Sequence, residues 1–269
     1  MPVYNCGNYI ATTINSILKQ TYSNWELIII DDCSTDNTIE IISNFNDIRI
    51  KTHKNEVNLG LAASLNKCIN FSKGQFIARM DGDDIMLPNR LEIQINFLKK
   101  NLDVDVIGGS AYLIDEYGNI IGIKESLNPK NYNNLLLNQG IFIHPTVMGK
   151  AGWFKSNLYN PVVLRGQDLE LWIRTFNYSK FVNLDDFLIC YREVGKEYKV
   201  KYEKIFFALK IILSIHKKSI PFYLRRYLLF RAYFKFRFFN ILFWLGLIMP
   251  EHRKSAKSNT KYIINKLKF

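Results

Sequence analysis

Gln75-Phe76-Ile77-Ala78-Arg79-Met80 runs straight into Asp81-Gly82-Asp83-Asp84. An apolar run of strand length that ends in a knot of carboxylates is the form taken by a strand of an α/β sheet whose carboxyl edge holds a ligand. Leu27-Ile28-Ile29-Ile30 followed by Asp31-Asp32 repeats the pattern upstream. Around these runs, apolar residues recur at helical spacing. Ile10, Ile14, Ile17 and Leu18 make one stripe, Leu61, Leu65, Cys68 and Ile69 another, and Leu91, Ile95 and Leu98 a third after Pro88. Ser34 to Asp36 predicts a helix start leading to Ile39, Ile42 and Phe45, while Ile48-Arg49-Ile50 and Val104 to Ile107 predict further strands. Strand and helix in alternation imply parallel strands with right-handed crossovers, a Rossmann-like, doubly wound α/β sheet that is mostly parallel and flanked by helices. Both acid clusters then fall on the ligand-binding edge.

After residue 110 the rhythm loosens. Glu116-Tyr117-Gly118-Asn119 predicts the turn of a hairpin, Ile141 to Pro145 a short strand, and Asp168 to Phe176 a helix with Leu169, Trp172, Ile173 and Phe176 on one side. There is no internal repeat.

The chain has 269 residues, 48% of them hydrophobic and 22% charged, which excludes a disordered polypeptide. Its mean hydropathy of −0.07 is too polar for a multi-span membrane protein. The formal charge is +12, but its distribution is uneven. Residues 1–195 hold 18 basic and 21 acidic side chains, whereas residues 196–269 hold 18 basic and 3 acidic. A slightly acidic domain is therefore followed by a strongly basic C-terminal region. Cys6, Cys33, Cys68 and Cys190 lie far apart without a metal-binding spacing, as expected of reduced thiols in a cytoplasmic protein, and Met1-Pro2-Val3-Tyr4 does not begin a signal peptide.

Two carboxylates separated by one small residue can aim oxygens at a single point, and hard oxygen ligands suit Mg²⁺ or Mn²⁺ bridging a diphosphate. The same four residues also suit a solvated polar turn; their place after an apolar strand favours the metal.

Six separated motifs then occur in order: Pro2-Val3-Tyr4-Asn5, Gln20-Thr21-Tyr22, Glu26 to Asp36, Asn58-Leu59-Gly60-Leu61, Arg79 to Asp84 and Gln167-Asp168-Leu169-Glu170-Leu171-Trp172. Together they strongly resemble glycosyltransferase family 2 over residues 1–195. The resemblance implies a GT-A fold, a nucleotide-sugar donor, usually UDP-linked, a divalent metal, and inversion at the anomeric carbon. Carried over, Pro2, Val3 and Tyr4 would line the base pocket and Asp32 would meet the uracil edge. Asp81 would contact the ribose or support the metal, Asp83 would be the main metal ligand, and Asp168 the catalytic base. Asn58 and Gly60 read as a turn bringing backbone to the donor. His144, with Pro145, resembles an element beside the acceptor, where Gln167 also falls.

Three departures stand out. Gln167 replaces the usual Glu before the base. Leu65 stands where Arg is frequent, leaving Arg79 or Lys54 to meet phosphate. The family has four or five apolar residues ahead of the Pro2 element, so the expectation is a truncated or misassigned start and reduced stability.

In the basic region, Tyr202 to Lys218 is amphipathic, and Tyr223 to Met249 interleaves aromatics with Arg225, Arg226, Arg231, Lys235 and Arg237. The apolar part, Phe238 to Met249, is shorter than the roughly 20 residues of a spanning helix. Residues 202–249 thus predict an in-plane contact with an anionic membrane surface rather than with nucleic acid, the plainer alternative being a helical cap or oligomer contact. The combined expectation is a metal-dependent inverting glycosyltransferase, peripheral on the cytoplasmic face of a membrane. It would act on a lipid-linked saccharide in bacterial surface polysaccharide synthesis, such as capsule or lipopolysaccharide. The rivals are a non-catalytic scaffold of the same fold and a sugar-nucleotide pyrophosphorylase, which would need more than the one glycine of Tyr4 to Asn8.

Overall fold

Three parallel strands, β1 (Pro2–Val3), β2 (Leu27–Asp31) and β3 (Ile50–Lys54), lie side by side in that order and end at a common edge. The computed structural model to which they belong describes residues 1–128, 135–136, 141–193 and 198–244. β2 is buried at all five positions, the reason for its unbroken Leu-Ile-Ile-Ile. Helices α1 (Ile10–Leu18) and α2 (Thr38–Ser43) make the crossovers, α1 through the buried stripe of Ile10, Ile14 and Ile17. The predicted strand at Ile48 begins two residues later. Asp47 accepts from the Arg49 amide and its carbonyl from the Ile50 amide, closing a turn that leaves Ile48 94% exposed. β3 is the edge of its sheet and needs little apolar sequence.

The second sheet contains β4 (Phe76–Ala78), β5 (Ile85–Met86), β6 (Val106–Ile114), β7 (Ile120–Lys124), β8 (Met148–Lys150) and β9 (Phe181–Arg192). Its order is β4-β8-β6-β9-β5, with β7 paired to β6 as the predicted hairpin. Only β6 and β9 run parallel there. β8 lies antiparallel between β4 and β6, so two strands close in sequence are not neighbours in space. The mixed α/β class holds, with its parallel pairings concentrated in β1 to β3 and β6–β9. The strand expected over Ile141–Pro145 is instead a bend leading into a 3-10 turn, His144–Thr146. Pro145 has no amide to give a ladder, and Thr146 donates back to the Ile143 carbonyl.

Helices α3 (Leu61–Phe71), α4 (Arg90–Lys100), α5 (Ala151–Ser156), α6 (Gln167–Thr175), α7 (Tyr198–Ile215) and α8 (Phe222–Trp244) complete the described chain. One hydrophobic cluster joins α1, β2, α4, β6 and β9 through Ile14, Ile29, Leu98, Ile107 and Leu188. A second gathers around Trp172 and Phe154 and includes Leu209, Ile212 and Leu213 of α7 and Leu224 and Leu228 of α8. The described part of the basic region, through residues 209–232, is thus packed on the helix that carries Asp168. Among the described residues no helix is long and apolar enough to cross a membrane. The predicted apolar segment ending at Met249 extends past the described residues. Between the edges of β2 and β4 lies a cleft of about 620 Å³, lined by Leu27, Ile28, Phe76, Ile77, Leu65 and Leu91 among others.

Candidate active site

Asp81 to Asp84 follows β4 and is pinned from three sides. The Thr13 hydroxyl donates to the carbonyls of Gly82 (3.0 Å) and Asp84 (2.7 Å) from α1. Arg192, the last residue of β9, gives its amide to Asp84 Oδ1 (2.8 Å) and its Nε to the Asp83 carbonyl (2.8 Å). Gly82 faces β1: a Cβ there would stand 2.8 Å from Val3 Cγ1 and 3.1 Å from Cys6 Sγ. Only glycine lets the acidic loop lie against the loop that follows β1. That loop is itself tied to the end of β2, because the Asn5 amide donates to Ser34 Oγ, the Cys6 amide to Thr38 Oγ1 and the Gly7 amide to Asp36 Oδ2.

Ligand oxygens of Asp81, Asp83 and Asp84 lie within 4.8 Å of one another. Burial and the neighbouring Asp81 charge raise the Asp83 carboxyl above its ordinary value, and burial with Asp81 and Asp83 raises Asp84 further. Asp84 Oδ2 is buried and accepts no hydrogen bond. Three crowded carboxylates, one with an orphaned oxygen, fit a divalent cation, whose charge would remove both the repulsion and the unmet acceptor. Asp81 is engaged differently from Asp83, since Arg79 Nη1 donates to its Oδ2 (2.5 Å) and Arg79 Nη2 pairs with its Oδ1. Burial alone would lower the Arg79 guanidinium, yet the Asp81 carboxylate holds it above the ordinary arginine value. Arg79 is buried, with its Nη atoms on Asp81 and its Nε without a partner, and Leu65, which stands where arginine was expected, is a core residue.

At the end of β2, Asp32 is buried and holds the next loop shut. Its Oδ1 accepts from Asn55 Nδ2 (2.7 Å) and the Leu59 amide (2.9 Å), and its Oδ2 from the Gly60 amide (2.9 Å). Three of roughly four acceptor positions are used, leaving one for a ligand. Gly60 has φ +84°, and Asn58 two residues before it is exposed. Of the expected base-pocket residues, Pro2 and Val3 are buried in β1 and only Tyr4 is exposed.

Asp168 is the second residue of α6, whose N-cap Gly166 is left-handed at φ +69°. It is half-buried, and burial raises its carboxyl above the ordinary value against the Leu169 amide and the Arg79 charge, which lower it. Arg79 bonds Asp81, and its charge also favours the ionised form of Asp168. His144 is buried beside them: Nε2 lies 2.8 Å from the Tyr159 hydroxyl, the two rings meet edge to face, and burial with the Arg79 charge pushes the imidazole well below its usual value. A neutral, enclosed histidine supports the wall of the site rather than offering a proton. Gln167 is also buried.

Sequence reading missed Thr13, Tyr159 and Arg192. Thr13 lies within the polar positions of a helical stripe, and Tyr159 in a segment without periodicity. For the third, the short apolar run Phe187 to Tyr191 just before it was a strand signal.

The family model described as Glycosyl transferase family 2 matches residues 1–158. Putative glycosyltransferase EpsE of Bacillus subtilis (strain 168) is 38% identical over 208 residues, covering 74% of this chain and 73% of that protein. The UDP-Glc:alpha-D-GlcNAc-diphosphoundecaprenol beta-1,3-glucosyltransferase WfgD of Escherichia coli is 35% identical over 193 residues, 71% of this chain and 73% of its own. Among solved structures, the mannosyltransferase PcManGT of Pyrobaculum calidifontis, in complex with GDP-Man and Mn²⁺, superposes with a TM-score of 0.64 at 14% identity. That likeness covers 89% of this chain and 71% of the other, and establishes the GT-A fold.

Proposed function

The chain belongs to glycosyl transferase family 2, and from that premise we propose that it is a metal-dependent, inverting transferase that moves a sugar from a UDP-sugar to a lipid-linked saccharide. The observation that carries the reading is the crowded carboxylate cluster of Asp81, Asp83 and Asp84, with Arg79 paired to Asp81. The Asp81–Asp83–Asp84 cluster suits a diphosphate-bound cation, and Asp168, held partly protonation-prone by burial, suits a base. Mn²⁺ or Mg²⁺ on Asp83 and its neighbours would supply charge for the departing diphosphate. Asp168 accepts the proton of the acceptor hydroxyl as its oxygen bonds to the anomeric carbon. The bond from that carbon to the donor phosphate breaks with its electron pair, releasing UDP and inverting configuration in one displacement. Tyr4 and the free acceptor position of Asp32 would meet the base, with the Asn58–Gly60 turn beside them.

The acceptor class rests on the name of the Escherichia coli relative, whose substrate is a sugar on a diphosphate lipid, and on the outer face of α8. Tyr223, Tyr227, Phe230, Phe234, Phe238 and Ile241 are exposed along that helix while Leu224, Leu228 and Ala232 face the core. Phe230, Phe234 and Phe238 stack at 6.3 and 6.2 Å, and Arg225 and Arg226 lie against the Phe222 ring. An aromatic face with adjoining cations suits the interface of an anionic membrane on its cytoplasmic side.

A panel of nucleotide-sugars with Mn²⁺, read as nucleoside diphosphate release with and without EDTA, tests the donor and the metal together. UDP-sugar turnover lost in EDTA and in Asp83→Ala is expected. Retention of transfer by Asp168→Asn would remove the base from this account, and failure to bind any nucleotide would favour a non-catalytic scaffold.

A further inference from the structure

α6 has a second acid besides Asp168, and it points the other way. Two residues along a helix turn through about 200°, so Glu170 faces away from the side of Asp168. It is 1% exposed and meets the C-terminal region. Its Oε1 lies 3.1 Å from His216 Nε2, just beyond the end of α7, and accepts from Arg174 Nε at 3.1 Å. Arg174 Nη2 in turn donates to the Leu158 carbonyl (2.6 Å). Burial would raise the Glu170 carboxyl, but His216 and Arg174 outweigh it and hold the group ionised below its ordinary value. The same part of α7 presses on the start of α6. A Cβ on Gly166 would stand 3.3 Å from Ile212 Cδ1 and 3.9 Å from Ala208 Cβ. Leu209, Ile212 and Leu213 share one cluster with Leu169, Leu171 and Trp172.

We propose that His216 is a positioning residue for the transfer reaction: by bonding Glu170 from behind, it fixes the first turn of α6 and so the aim of Asp168. The proposal rests on Asp168 being the base. It makes the C-terminal helical region a working part of the catalytic unit as well as a docking surface. A buried carboxylate bonded by His216 from outside the helix, while Arg174 of the same helix reaches the Leu158 carbonyl, resists rotation of the helix about its axis, and that rotation decides whether an oxygen two residues earlier reaches the acceptor.

The experiment uses the full chain without membranes, with UDP-glucose, Mn²⁺ and an α-GlcNAc diphosphate on a short alkyl chain as acceptor, and follows UDP release. It is paired with amide hydrogen exchange, which needs no turnover. His216→Ala is expected to lower kcat about tenfold, the weight of one hydrogen bond to a charged group, while KM for the donor stays unchanged. Exchange at the Glu170 amide, which bonds the Gly166 carbonyl, should rise about tenfold. His216→Gln, which keeps a donor nitrogen, should restore both within about twofold. In an Asp168→Asn background, His216→Ala should cost no further activity. Unchanged exchange in His216→Ala, no rescue by glutamine, or equal losses in kcat and donor KM would each overturn the proposal. Failure of the base assignment reads separately, as full transfer by Asp168→Asn alone.

Discussion

On the proposed function Asp168 is the base and Arg79 holds Asp81, and each residue predicts a measurable response. Burial raises the Asp168 carboxyl, so the group keeps its proton to a higher pH than an ordinary aspartate of about 3.9. A base works only when deprotonated. The acid limb of kcat/KM should therefore rise with pH through a value above the ordinary one, and Asp168→Asn should abolish that limb with a loss of about 10²- to 10⁴-fold in kcat, checked by rate profiles between pH 4 and 8. Arg79→Ala would leave Asp81 beside Asp83 and Asp84 without its cation. Breaking a fully buried pair costs about 3–5 kcal/mol, and with Asp81 only half-buried the loss should fall below that; because a divalent ion replaces the missing charge, Mn²⁺ should recover part of the lost urea stability in the variant and stabilise wild type less.

At the scale of elements, the Asp81–Asp84 loop works only because Gly82 admits Val3 and Cys6. Gly82→Ala should displace the loop from β1, costing about 1–3 kcal/mol by overpacking and weakening Mn²⁺ binding measured by calorimetry. The helices and early strands were legible because each buries one clear stripe or run: α1, α3, α4 and α6 begin within two residues of their predicted positions. The acid clusters at strand ends were legible for the same reason. β8 was not, since three residues, Met148 to Lys150, have no period to read. β9 alternates irregularly because Asp185 and Asp186 lie exposed in its middle. The partners of the site residues were least legible. That Asp32 closes the 55–60 loop, that Arg79 belongs to Asp81 and that His144 is enclosed by Tyr159 depend on contacts between segments far apart in the chain, which local pattern does not encode.

For the whole molecule, the uneven charge acquires a location. The described helices α7 and α8 of the basic region pack one side on α6, and α8 turns an aromatic ladder outward. Replacing Phe230, Phe234 and Phe238 together by serine should leave the fold intact, since all three lie outside the core, and should reduce co-sedimentation with vesicles containing phosphatidylglycerol. Raising salt should weaken wild-type binding through its cationic part only.

The cleft between β2 and β4 separates part of the two sheets, although Ile29 of β2 and Ile107 and Leu188 of the second sheet share one hydrophobic cluster. In β2 the amides of alternate residues point to β3 and to β1, and Ile30 bonds the Met1 carbonyl. Ile28, two residues back, aims its amide at the opening. In β4, Ile77 sits in a bonded pair with Gly149, so Phe76 and Ala78 turn their amides to the same space. Deuterium should therefore enter this interior one residue in two: quickly at Ile28, Phe76 and Ala78, slowly at Ile29 and Ile77.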